Sequence, residues 1–117
     1  MPFQEYVDAK IELRPEQLRQ LSKLKKPSMI MFYAKWCPHC VTMVGTWTAL
    51  KKDGHSVYAI DCADASDVSK EFGIQGYPTI KVLNSSGKLS DYKGSRDSDS
   101  LSASMSSMNS MMSGGSV

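Results

Sequence analysis

The stretch that most constrains this chain is Tyr33-Ala34-Lys35-Trp36-Cys37-Pro38-His39-Cys40, together with what flanks it. Ahead of it, Met29, Ile30, Met31, Phe32 and Tyr33 form an unbroken apolar run, as in a strand buried on both faces of a parallel sheet. Behind it, Val41, Val44, Trp47 and Leu50 recur at helical spacing. The two cysteines therefore fall where a strand gives way to a helix. Unpaired N–H groups and the positive end of the helix dipole favour an anion there, so Cys37 is expected to be a reactive thiol. Pro38 is tolerated, because an N–H in the first helical turn has no intrahelical partner to lose. Cys40 follows about one turn later, close enough to close a disulfide with Cys37.

A C-x-x-C pair can also be half of a zinc site. Structural zinc usually takes four ligands, commonly from two such pairs. This chain has three cysteines and two histidines, with no second pair. Cys62 and His55 lie on predicted strand ends at no familiar spacing. Redox chemistry is therefore expected, with no metal, and Cys62 reads as a small hydrophobe rather than a third redox thiol.

A length of 117 residues suits one domain, and 41% hydrophobic content suits a soluble globular core. The net charge of +2 gives no reason to expect a nucleic-acid partner. Arg19, Lys23, Lys25 and Lys26 read as a solvated helix end. No span approaches the roughly 18 apolar residues of a membrane helix, so no membrane partner is expected. The opening residues, Met1 to Asp8, contain no apolar h-region. A cytoplasmic location is the expectation, and disulfides there are mostly transient and catalytic.

Along the chain, residues up to Asp8 read as a loosely held lead-in. Ala9, Ile11 and Leu13 alternate with Lys10, Glu12 and Arg14, a half-exposed strand. Pro15 opens a helix striped by Leu18, Leu21 and Leu24, which Lys26-Pro27 ends. The strand of Met29 to Tyr33 and the cysteine-bearing helix follow. Gly45 inside that helix predicts a bend or a close contact, and Asp53-Gly54 ends it. Val57 to Ile60 is a strand. Asp64 or Ser66 can cap a short helix carrying Val68 and Phe72, stopped by Gly73. Thr79 to Leu83 and Lys88 to Tyr92 form a hairpin across Asn84-Ser85-Ser86-Gly87.

The domain reading is a core over residues 1–97 and a Ser/Met-rich segment over 98–117. In that segment Leu101, Met105, Met108 and Met112 fall at helical intervals. They predict a weak final helix held by packing on the sheet, ahead of a disordered end. A wholly disordered tail competes with it. Three strands joined by helices must run parallel, and the last two form a hairpin. The expected architecture is α/β: a mixed five-strand sheet with four helices packed on both faces, and the cysteine turn outside a carboxyl strand end.

The motif Phe32-Tyr33-Ala34-Lys35-Trp36-Cys37-Pro38-His39-Cys40, followed by Gly76-Tyr77-Pro78-Thr79-Ile80-Lys81, resembles the thioredoxin fold, and most nearly a single catalytic domain of protein disulfide isomerase. The resemblance runs from about Ala9 to about Leu101. It implies that Cys37 is an exposed nucleophile and Cys40 a buried resolving thiol, and that His39 stabilises the Cys37 thiolate and makes the disulfide more oxidising. It implies a substrate-facing surface of Trp36 and Tyr77, and a cis Pro78 whose neighbour Tyr77 holds an extended substrate through its backbone. Pro38-His39 matches the dipeptide of the bacterial periplasmic disulfide oxidase. Arg96 matches an arginine that approaches the resolving thiol in the isomerases. The family's buried acid is replaced by Met31, and its accompanying basic residue by Val57. Cys40 therefore lacks its usual proton acceptor, and release of mixed disulfides is expected to be slow.

The function expected is thiol-disulfide exchange with cysteine-containing protein substrates, by a monomer whose only redox group is the Cys37–Cys40 pair and which is reset by an unknown electron donor or acceptor. Two other readings are a cytosolic reductase of the thioredoxin type and a non-enzymatic peptide-binding module. His39 suggests an oxidant, whereas the missing leader suggests a reducing cytosol. The compact oxidases of large DNA viruses, which this chain also resembles, would reconcile the two.

Overall fold

A computed structural model describes residues 3–62 and 66–115 of the chain, with Ser66 and 108–115 described by their backbone alone. The elements in order are α1 (Gln4–Asp8), α2 (Pro15–Leu24), β1 (Ser28–Tyr33), α3 (Pro38–Lys52), β2 (Val57–Asp61), α4 (Ser66–Phe72), β3 (Thr79–Leu83), β4 (Leu89–Asp91) and α5 (Ser98–Gly115). The sheet order is β2-β1-β3-β4.

The apolar run becomes the central strand, and every residue of β1 is buried. It pairs in parallel with β2, Met29 opposite Val57 and Tyr33 opposite Asp61. The long connection through α3 permits that direction, which a hairpin would not. On its other edge β1 pairs antiparallel with β3, Met31 opposite Ile80. The hairpin then adds β4 antiparallel to β3.

Successive side chains of a strand point to opposite faces, and β1 sorts the core accordingly. Met29, Met31 and Tyr33 join one cluster with Tyr6, Cys37, Cys40, Trp47, Leu101 and Met105. Ile30 and Phe32 join the other, with Leu18, Cys62, Val68 and Leu83. Helices α1, α3 and α5 thus cover one face of the sheet, and α2 and α4 the other. The Trp47 indole N–H donates to the Tyr58 carbonyl at 2.9 Å and pins α3 to β2.

Several expectations need correction. Among the described residues there are four strands and five helices. The predicted strand over Ala9 to Leu13 is an extended passage that meets β2 at one parallel bridge, Glu12 opposite Ala59. From Phe3 onward the lead-in is not loose. Phe3 and Tyr6 are buried, and the Phe3 ring stacks on Tyr33 at 4.7 Å while Tyr6 meets it edge-on at 5.4 Å. Lys10, at φ 61, turns the chain out of α1. Gly45 makes no close contact, since a Cβ there would meet nothing within 4 Å, and α3 runs on through it without interruption.

The hairpin glycine does have a steric reason. Gly87 has φ 82, and a Cβ on it would lie 2.6 Å from the Ser22 carbonyl oxygen of α2. Asp97 opens α5 by accepting from the Ser100 N–H at 2.8 Å. Leu101 and Met105 are fully buried, with α3 as the main neighbour of α5. The side chains of Met108 and Met112, and the candidate cap Asp64, lie outside the described residues. Among the described residues no helix is long and apolar enough to cross a membrane.

Candidate active site

The end of β1 and the start of α3 set the geometry of the two cysteines. Cys37 is the N-cap of α3, with extended backbone (φ −92, ψ 115), and Pro38 follows inside the first turn. A helix N-cap normally offers a side-chain oxygen to the orphan amides. Here it offers sulfur: the Cys40 N–H donates to Cys37 Sγ at 3.3 Å. The Cys37 thiol in turn points at the Tyr77 carbonyl oxygen, 3.5 Å away. All three cysteines are free thiols.

Cys37 is only 4% exposed and Cys40 is fully buried. The exposed nucleophile implied by the resemblance is therefore nearly covered, because the Tyr77 segment closes over its sulfur. Cys37 is still the outer of the pair. Burial first, and then the hydrogen bond with Cys37, push the Cys40 thiol well above the ordinary thiol range, while Arg96 opposes this weakly.

Trp36 and Tyr77 do come together. The Trp36 side chain stands 68% exposed and meets the Tyr77 ring edge-on, with centroids 5.6 Å apart. The Tyr77 hydroxyl shares a 2.6 Å hydrogen bond with Ser69 of α4. The Tyr77–Pro78 peptide bond is cis. Arg96 reaches the same loop, its Nη2 donating to the Pro78 carbonyl at 3.0 Å. His39 lies exposed in the first turn of α3, and its carbonyl accepts from Thr42 Oγ1 at 2.8 Å. Its ring is not brought onto Cys37 by any hydrogen bond. His55 and Cys62 do not join the pair. His55 bonds Ser102 of α5 at 3.0 Å, and Cys62 packs on the opposite face of the sheet. Among the described residues no cluster of three or more His, Cys, Asp or Glu side chains could hold a metal ion.

Glu12 is a residue that sequence reasoning missed. Its Oε1 accepts a short hydrogen bond from the Tyr33 hydroxyl, and its Oε2 is buried without a partner. Burial raises its carboxyl above the usual range, and the Tyr33 bond opposes that. Met31, where the family places its acid, instead presents Sδ to the Tyr6 hydroxyl at 3.7 Å. A partly buried carboxyl is present, then, but it comes from the segment between α1 and α2 and bonds neither active-site cysteine.

Residues 11–107 match the family model described as Thioredoxin. The chain belongs to the thioredoxin family. Among curated relatives of this family member is a putative protein disulfide-isomerase of Schizosaccharomyces pombe, 35% identical over 94 residues, which cover 77% of this chain and 19% of that protein. A mitochondrial thioredoxin domain-containing protein of the same yeast is 41% identical over 101 residues, covering 78% and 28%. The chain thus spans well under a third of the length of these relatives. Among solved structures, the first thioredoxin domain of mouse protein disulfide-isomerase A4 superposes with a TM-score of 0.70 at 29% identity, covering 82% of this chain and 72% of that one. The J-Trx1 fragment of ERdj5 superposes at 0.80, covering 89% and 55%; at 24% identity that likeness speaks to the fold alone.

Proposed function

We propose that this thioredoxin-family chain is a thiol-disulfide oxidoreductase that exchanges the Cys37–Cys40 pair with disulfides of protein substrates. The observation that carries the reading is the 3.3 Å hydrogen bond from the Cys40 N–H to Cys37 Sγ at the N-terminus of α3. It aims an orphan amide and the helix dipole at one sulfur and favours negative charge there. The names of its relatives, several of them protein disulfide-isomerases, support the same class.

In the reducing direction, Cys37 sulfur attacks one sulfur of a substrate disulfide. That bond breaks, and the departing substrate sulfur takes the electron pair and then a proton. Cys40 loses its proton and attacks Cys37 sulfur, which frees the second substrate thiol. The substrate has gained two electrons and the pair has become a disulfide. The reverse sequence oxidises the substrate. An electron donor or acceptor resets the pair, and its potential against that of the surroundings decides the direction.

Trp36, Tyr77 and Pro78 form the surface on which the substrate lies. His39 adds positive charge beside the helix N-terminus when protonated. Pro38 fixes the first turn, and Arg96, bonded to the Pro78 carbonyl, acts on Cys40. Paired variants test the reading. Cys37→Ser is expected to lower disulfide exchange at least ~1000-fold, because a hydroxyl cannot form the mixed disulfide. Cys40→Ser is expected to accumulate a covalent complex with substrate, visible on a non-reducing gel. Retained exchange in Cys37→Ser, or no trapped complex in Cys40→Ser, contradicts it.

A further inference from the structure

Beside the Tyr77–Pro78 loop lies a polar cavity of about 390 Å³ between the start of β3 and the segment after β4. Gln75, Thr79, Asp91, Tyr92, Lys93 and Arg96 contribute its polar lining. Much of that polar capacity is already taken. Asp91 is neutralised by Lys81, whose Nζ lies 2.7 Å away. The Tyr92 hydroxyl donates to the Ser95 carbonyl at 2.5 Å, and the Thr79 hydroxyl to the Gly76 carbonyl at 2.7 Å. What is left over are donors and positive charge. Among the described residues Arg96 is hydrogen-bonded to a neutral carbonyl, that of Pro78. Lys93 makes no close ion pair among the described residues and acts on Asp91 only from longer range. One carboxylate, already paired with Lys81, faces two further cations, and that positive balance fits an anion.

The cavity also adjoins the loop that contacts Cys37. Cys37 sulfur lies 3.5 Å from the Tyr77 carbonyl, and the next carbonyl along, that of Pro78, is the one Arg96 binds. One residue of extended chain spans about 3.3–3.6 Å. A peptide joined to Cys37 and running along this loop toward the Pro78 carbonyl would carry a side chain near its cysteine toward Arg96.

We propose that this cavity is a subsite for a carboxylate of the substrate, an acidic side chain one or two residues from the cysteine that joins Cys37. This deepens the oxidoreductase reading and rests on it. The pair supplies the exchange, and the cavity selects which disulfides are exchanged fastest.

The test uses the full chain and disulfide-linked reporter peptides that differ only in having Glu, Gln or Lys beside the cysteine. At low ionic strength kcat/KM for the Glu peptide is expected to exceed that for the Gln peptide by about three- to fivefold, with Lys poorest. At ~1 M salt the three should converge. Lys93→Gln should roughly halve the Glu preference and leave the Gln-peptide rate unchanged. Equal rates for Glu and Gln, or a preference indifferent to both salt and Lys93→Gln, overturns the subsite while leaving the exchange activity standing. Failure of every peptide to be exchanged removes the oxidoreductase reading and the subsite with it.

Discussion

Cys40 and Cys62 are both buried thiols on one small sheet, yet their surroundings prepare them for different ends. Cys40 sits in the first turn of α3 and faces another sulfur. Cys62 follows β2 on the opposite face, where its thiol points at the Ile60 carbonyl at 3.8 Å and its backbone N–H donates to Tyr33. Burial pushes Cys40 well up and Cys62 up to about 12. Burial therefore does not distinguish a working thiol from a space-filling one. The difference is the helix N-terminus and a second sulfur beside it, which Cys62 lacks.

The larger effect expected from this contrast concerns pH. Cys40 must lose its proton before it attacks the mixed disulfide. With burial raising it, the ionised fraction is small near neutrality and grows about tenfold per pH unit. The rate at which Cys40 releases a trapped substrate, followed by stopped-flow on a preformed mixed disulfide, should still be climbing past the ordinary thiol range near pH ~8.5. A plateau reached by pH ~7 would show that Cys40 is not held protonated by burial and would erase its likeness to Cys62.

The smaller effect concerns Cys62 itself. Cys62→Ala should leave exchange rates unchanged and destabilise the fold by about 1 kcal/mol through lost packing, as read by urea denaturation. The sign of its pH dependence follows from the raised thiol. Below the ordinary thiol range Cys62 is protonated in both states. Above it, the unfolded chain ionises first, and the stability contributed by the buried thiol falls away. The gap between the native protein and Cys62→Ala should therefore narrow above pH ~9. A loss of exchange in Cys62→Ala would make it a third redox thiol.

Much of this was legible in the sequence because local pattern and tertiary outcome agree. The run Met29–Tyr33 suits a doubly buried strand and is one, and Pro38 marks the first turn of α3. Leu101 and Met105 foretold the buried side of α5 although serine and methionine make a poor helix. The misses came where distant segments decide. Alternation over Ala9 to Leu13 has the period of a strand, yet the α1 aromatics pack on Tyr33 and leave a single bridge to β2. The cover on Cys37 comes from Tyr77, forty residues on, and no window around the cysteines contains it. Glu12 looked like the exposed partner of an alternating strand. Only the Tyr33 hydroxyl, brought to it by the fold, shows that it is a half-buried acid with one oxygen shut away from solvent.

The central claim is that position at the helix N-terminus, not exposure or burial, gives one sulfur of three its chemistry. It is tested most directly by alkylating the folded, reduced protein with iodoacetamide near pH ~7 and following each cysteine by mass spectrometry. Cys37 should be labelled at least ~100-fold faster than Cys62, with Cys40 remaining protected. Labelling of Cys37 and Cys62 at similar rates would contradict the account.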